Sequence, residues 1–245
     1  MTEVKWCVLT YGHLGLESTQ PEPEPLFNYL KEQYKKLNYD GLPQHLKCYA
    51  FMDYCKNSFV IKSPVDVTIT IGRNPPSLKL DRLDQDFYDN FFMLRDEDRF
   101  GKNRFGITTM PKILFFSDKS VKMESIPFYF LPEINPIHNK IAFVSGVYDI
   151  GKWIRPIDVS GEIISEATEI KIKHNDPLFV VRFSSRDQEI KLKRVYEDEK
   201  ILRAVTTCTD VKRYKTFIPL NKLYDSLDGL LRNLGFKNKI KKEQK

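Results

Sequence analysis

The chain has 245 residues, of which 41% are hydrophobic, 29% charged and 13% aromatic. That length holds one large domain, or one with a small appendage, and supplies a core that folds without metals or disulfides. The charged fraction excludes wholesale disorder. Formal net charge is +6, and residues 236–245 carry +4 of it through Lys237, Lys239, Lys241, Lys242 and Lys245 against Glu243. Basicity is therefore a property of the tail. It reads either as a solvated terminus or as a handle for nucleic acid or an acidic surface.

In chain order, residues 4–10 read as a short first strand. Pro21, Pro23 and Pro25 then alternate with Gln20, Glu22 and Glu24, which forbids helix and favours an extended spacer. A helix is predicted over 24–37, with Leu26, Leu30, Tyr34 and Leu37 on one face and Lys35 and Lys36 at its basic end. From 46 to 195 the pattern turns to β. Val67, Ile69 and Ile71 alternate with Thr68 and Thr70. Ile170 and Ile172 alternate with Glu169, Lys171 and Lys173, and Ile190 and Leu192 with Glu189, Lys191 and Lys193. Period-two alternation means one buried face and one wet face. Residues 179–183 and 141–144 are more continuously apolar and suit central strands. Turn signals fall at 72–76, 117–120, 135–136 and 175–177. Helical spacing returns at Ile201, Ala204, Val205 and Cys208, giving a helix over 197–209. It returns again at Leu220, Leu223, Tyr224, Leu227, Leu230, Leu231 and Leu234, giving one over 219–234 with Pro219 at its start and Gly235 past its end.

These elements predict a mainly β chain with flanking helices. Residues 1–45 give an N-terminal strand, Pro-rich spacer and helix. Residues 46–195 give an antiparallel β-sandwich or jelly-roll-like body, and 196–245 a C-terminal helical extension with the basic tail. The first residues, Met1-Thr-Glu-Val-Lys-Trp6, have no apolar stretch of signal-peptide type, and no run approaches the ~20 residues of a membrane helix. The expectation is a chain that is neither secreted nor membrane-spanning. Cys7, Cys48, Cys55 and Cys208 are then free thiols. Six residues separate Cys48 from Cys55, too many for a zinc knuckle.

Catalytic signatures are scarce. No phosphate-cradling loop, dinucleotide fingerprint or nucleophile elbow occurs. Histidines stand only at 13, 45, 138 and 174. An iron oxygenase on a jelly roll needs two His and one carboxylate. His174 and Asp176 form an H-x-D, but no His follows, and Asn175 and Pro177 make that segment a turn. Should an enzyme on such a scaffold be present after all, its metal ligands would be His174, Asp176 and His138. No cofactor is expected. The acidic pairs Asp84/Asp86 and Asp96-Glu97-Asp98 read as solvated. Phe128-Tyr129-Phe130 and Phe115-Phe116 read as core strands rather than as nucleic-acid stacking platforms.

One segment stands apart. Residues 144–156 combine Gly146, Gly151, Tyr148, Asp149, Lys152, Trp153 and Arg155. Trp153 with Lys152 and Arg155 could stack on a planar or anionic ligand. Alternatively the strand turns a corner there, with Trp153 in the core and Arg155 paired to Asp149 or Asp158. Arg182, inside the apolar 179–183 run, needs a carboxylate if buried, with Asp149 or Asp176 as candidates. The candidate ligand residues are therefore Tyr148, Asp149, Trp153, Arg155 and Arg182.

The segments KCYAFMDY (47–54), NSFVIKSP (57–64), YDIGKWIRP (148–156) and NDPLFVVRF (175–183) together resemble a family of uncharacterised proteins of tailed phages, especially T4-like marine ones. Tyr49 stands where that family has Pro, and Asn175 where it has Gly. The resemblance implies a viral source, acting in the host cytoplasm or the virion, and carries no activity with it. The expectation is a non-catalytic binding or assembly protein that meets a protein partner or a second copy of itself. The basic tail offers a route to nucleic acid, and no membrane partner is expected.

Overall fold

The computed structural model describes residues 1–10, 16–38, 41–73, 76–81, 91–95, 105–128, 133, 135, 137–164, 168–184, 189–214 and 218–236. The N-terminal part runs β1 (Thr2–Val8), α1 (Leu16–Thr19), β2 (Glu24–Pro25), α2 (Leu26–Lys36), a 3₁₀ turn (Gln44–Lys47) and α3 (Tyr49–Cys55). Strands follow: β3 (Ser58–Lys62), β4 (Val67–Arg73), β5 (Pro76–Asp81), β6 (Phe92–Arg95), β7 (Phe105–Thr109), β8 (Ile113–Phe116) and β9 (Lys122–Pro127). Then come β10 (Ile141–Phe143), β11 (Gly146–Asp149), β12 (Val159–Ile163), β13 (Glu169–Ile172), β14 (Pro177–Ser184) and β15 (Ile190–Arg194). Helices α4 (Glu199–Tyr214) and α5 (Leu220–Asn233) close the order. The architecture is mixed: several small open sheets, antiparallel except where β1 pairs parallel to β15, and two C-terminal helices. The strand orders are β15-β1-β8, β10-β12-β7-β6, β11-β9-β14-β3-β2 and β13-β4-β5.

One core cluster draws on all four sheets. It takes Val4 and Trp6 from β1, Ile61 from β3, Ile69 from β4, Ile107 from β7, Val159 from β12, Ile170 and Ile172 from β13, and Phe179 and Phe183 from β14. Two sheets are apolar on both faces over part of their area, and strand pleating sends alternate residues there to different cores. In the five-stranded sheet, Phe59, Ile61, Phe179 and Val181 face the main core. Val60 and Val180 face the other way, under Leu26, Leu30 and Tyr34 of α2. That is why 177–181 reads as an unbroken apolar run. In the β15-β1-β8 sheet, Val4, Trp6, Ile113 and Phe115 face the main core. Cys7, Leu114 and Phe116 face a helical cluster of Ile201, Ala204, Val205 and Cys208 from α4 and Leu223, Leu227 and Leu231 from α5.

The alternating strands behave as their patterns require: Ile170 and Ile172 are buried, while Glu169 and Lys171 are exposed. The first strand is shifted to Thr2–Val8 from the 4–10 reading. The β pattern read from residue 46 begins only at Ser58. Residues 44–47 and 49–55 are helical, joined through an extended Cys48, because Phe51, Tyr54 and Cys55 share one helix face against the α2 layer, and Asn57 at φ 59° then turns the chain into β3. Helix α2 starts directly after Pro25, and α4 is capped by the Asp198 carboxylate, which accepts the Ile201 N–H at 2.7 Å. Helix α4 runs to Tyr214, five residues beyond the 209 boundary read from the sequence. Helix α5 ends in a Schellman turn: Gly235 at φ 65° donates to the Arg232 carbonyl at 2.9 Å, and Phe236 to that of Leu231 at 2.9 Å. Among the described residues, no helix is long and apolar enough to cross a membrane.

Two glycines should respond to alanine with opposite signs. A Cβ on Gly161 would lie 2.9 Å from the Ala142 carbonyl oxygen across the β10–β12 pair, whereas Gly229, inside α5, has nothing within 4 Å of that position. Urea unfolding of Gly161→Ala should show a loss of about 1–3 kcal/mol, and of Gly229→Ala a gain of roughly 0.5–1 kcal/mol.

Candidate functional site

The 144–156 segment lies at the seam between the edge strand β11 and the C-terminal helices. Asp149, at the end of β11, organises the corner. One carboxylate oxygen accepts the Gly151 N–H at 2.9 Å and the Val121 N–H at 3.2 Å, and the other accepts the Ser120 hydroxyl at 2.5 Å. Its carbonyl accepts the N–H groups of Lys152 at 3.0 Å and Trp153 at 2.9 Å. Its own N–H donates to the Tyr224 hydroxyl of α5 at 2.7 Å. Position 151 must be glycine: a Cβ there would sit 2.1 Å from the Lys119 carbonyl oxygen. Asp149 is 5% exposed, with its carboxylate given over to this turn, so the structure places it beneath the site as its anchor.

The turn delivers Trp153 and Arg155. The Trp153 side chain is buried in the helical cluster, and its ring meets that of Tyr148 edge-on, with centroids 5.5 Å apart at 64°. The Arg155 guanidinium carbon stands 4.8 Å from the Trp153 ring centre and 5.5 Å from that of Tyr148. Arg155 also ion-pairs with Asp158, and its Nε donates to the Pro156 carbonyl at 3.3 Å. The corner reading therefore holds for Trp153 in the core and for Asp158 as the partner of Arg155. The segment retains an unspent feature as well: the Trp153 Nε1 and the Tyr148 hydroxyl are buried with no hydrogen-bond partner in the structure. A buried donor left unmade costs about 1–3 kcal/mol.

Two residues that sequence reasoning did not place here complete the seam. Lys212 of α4 holds its ammonium 5.7 Å from the Trp153 ring, and Lys152 sits 5.4 Å from the Tyr224 ring. Burial, with Arg155 beside it, pushes the Lys212 ammonium down from its usual pKa. Burial likewise lowers Arg155, which still remains charged at neutral pH. Burial pushes the Tyr148 hydroxyl up to about 12.

Arg182 is elsewhere. Cross-strand register puts Arg182 opposite Glu124, and Glu124 opposite Val147, so these three share one face of the five-stranded sheet. Tyr148 shares the other face with Met123 and Phe183. Arg182 pairs with Glu124 at 2.8 Å and stacks over Tyr54 at 5.3 Å, so its carboxylate is neither Asp149 nor Asp176. His174 and Asp176 occupy an exposed turn with Asn175 at φ 72°. The His174 N–H donates to Asp66 at 2.6 Å, and an Asp176 oxygen accepts the Lys173 N–H at 2.6 Å. His138 lies at a separate small hollow lined by Phe128, Asn135 and Phe143. Among the described residues, no three His, Cys, Asp or Glu side chains converge as a metal would require. The acidic pairs at 84/86 and 96–98, His13, and tail residues 237–245 lie outside the described residues. Comparison of the chain with protein-family models, with curated proteins and with solved structures returns no match.

Trp153→Ala should cost about 3–5 kcal/mol in chemical denaturation, as expected for a large side chain removed from a core. Arg155→Ala loses a partly buried stacked cation and should cost only about 1–2 kcal/mol. The Tyr148 hydroxyl titrates near 10 when unfolded and near 12 when folded, so its neutral form is favoured by the fold. Its contribution is intact below pH 10 and is lost as pH rises from 10 to 12. The alkaline fall in the urea midpoint should therefore be shallower in Tyr148→Phe than in the parent.

Proposed function

We propose that the chain is a non-catalytic binding or assembly protein of tailed-phage origin. In this reading it acts in the host cytoplasm or the particle by engaging a protein partner or a second copy of itself. Its origin rests on the four-segment resemblance. The binding role rests on one observation above all: the Tyr148–Trp153 pair keeps two buried polar groups without partners beneath an arginine, at a boundary between sheet and helices. Native interiors seldom leave such groups unmade, and ligand sites are a recurrent reason why they do. The absence of catalytic motifs from the sequence supports the same reading. In it, the four sheets around the common core form a sandwich-like, jelly-roll-like body, and the basic tail is a secondary route to nucleic acid.

The test is light scattering on the purified chain together with fractionation of particles and soluble complexes from infected cells. A defined oligomer, a stoichiometric partner or co-sedimentation with particles is the expected result. A monomer found with neither partner nor particle would overturn the reading.

A further inference from the structure

We propose that the seam formed by Tyr148, Trp153, Arg155 and Lys212 is a binding site for an oxyanion, a phosphoryl or carboxylate group, with Lys212 as the cation at its mouth. This rests on the binding reading above and deepens it by naming the chemistry recognised.

The Trp153 indole nitrogen can only donate, and so can the guanidinium and the ammonium. The Tyr148 hydroxyl is free to donate, since nothing in the structure engages it. The indole, the guanidinium and the ammonium are thus donors only, and the Tyr148 hydroxyl can donate beside them. The acids nearby are committed: Asp158 holds Arg155, and the Asp149 carboxylate is consumed by Ser120, Val121 and Gly151. Lys212 contacts the Trp153 ring and has no acidic partner among the described residues. Asp158 balances Arg155, which leaves the Lys212 charge beside the indole without a counter-ion among the described residues, and an anion there would supply one.

The same geometry excludes other occupants. A metal ion finds no uncommitted carboxylate among the described residues here, since Asp149 and Asp158 are already engaged. A flat aromatic ligand would have to displace the guanidinium, which already stands 4.8 Å from the Trp153 ring centre and 5.5 Å from that of Tyr148. An oxyanion matches this donor set by its chemistry, having lone pairs for the indole N–H and the Tyr148 O–H and a charge for the Lys212 ammonium. Lys212 is exposed whereas Trp153 is 8% exposed, so the approach is from the α4 side.

The indole N–H proton is the direct reporter. The protein has two tryptophans, Trp6 and Trp153, and Trp6 lies in the main core under Arg194. In ¹⁵N–¹H spectra of the full chain, titration with inorganic phosphate and separately with acetate, each against chloride at matched ionic strength, should move the Trp153 Nε1–H signal saturably and leave that of Trp6 in place. A response to phosphate alone identifies a phosphoryl ligand, and one to acetate alone a carboxylate. Lys212→Gln should weaken the apparent affinity about tenfold, the effect of losing one charge-assisted contact. Because Lys212 is exposed, the variant's melting temperature should stay within about 2 °C of the parent. The inference is overturned if neither anion moves the Trp153 signal beyond the chloride control, or if Lys212→Gln binds as tightly as the parent. Should the anions fail while a partner still depends on Trp153 and Lys212, the oxyanion falls and the binding reading stands.

Discussion

Burial of β1 and β8 on both faces is the constraint on which the rest of this structure depends. Val4, Trp6, Ile113 and Phe115 seal the main core, while Cys7, Leu114 and Phe116 form the floor on which α4 and α5 lie. Where β8 and the end of β1 lie between the two cores the sheet has no wet face, although Glu3, Lys191 and Lys193 reach solvent elsewhere on it, so α4 and α5 must present apolar stripes and β8 must alternate between two interiors. The five-stranded sheet repeats the arrangement with α2 and α3 on its outer face. Two of the four sheets around the main core are thus themselves covered by helices, and the order of those layers is written in side-chain parity.

The candidate site follows from the same constraint. Where β11 ends, the chain leaves the five-stranded sheet and crosses to the helical cluster, and Asp149 makes the corner by binding the 120–121 loop on one side and Tyr224 on the other. Trp153 is carried into the helical interior, and Arg155 is left at the margin over two rings. A polar donor on a ring that large has few ways to reach water once α4 and α5 have closed over it. The unpartnered indole N–H is a product of the layer boundary, and it is at this boundary that the proposed ligand would bind.

Much of this was readable from residue order. The stripe from Leu220 to Leu234 with Pro219 and Gly235 at its ends located α5, because helix stop chemistry is local. The alternation at 67–71 and 169–173 located β4 and β13 for the same reason. The segment around Trp153 stood out by its mixture of glycine, aromatic and charge, and both its core placement and the Arg155–Asp158 pair were foreseeable from short sequence separation. The partner of Arg182 was not, since Glu124 lies 58 residues away and only strand register brings it there. Residues 46–55 were misread because a single turn or two of helix carries little periodic signal. Lys212 and Tyr224 escaped notice as site residues because they reach the seam from α4 and α5, and Lys212 lies in the part of α4 past the expected boundary.

The parallel pairing of β1 with β15 has a consequence for how the chain comes to be folded. Thr2 sits opposite Ile190, so β1 waits for a strand nearly 190 residues further along before its outer edge is covered. Until then, one side of the wall between the two interiors is an open ladder of amides, and α4 and α5 follow later still. Contacts this remote in sequence form slowly, because the loop that joins them must be closed before they contribute anything. The central partition therefore stays half built until the β15 segment and the two helices after it have been made.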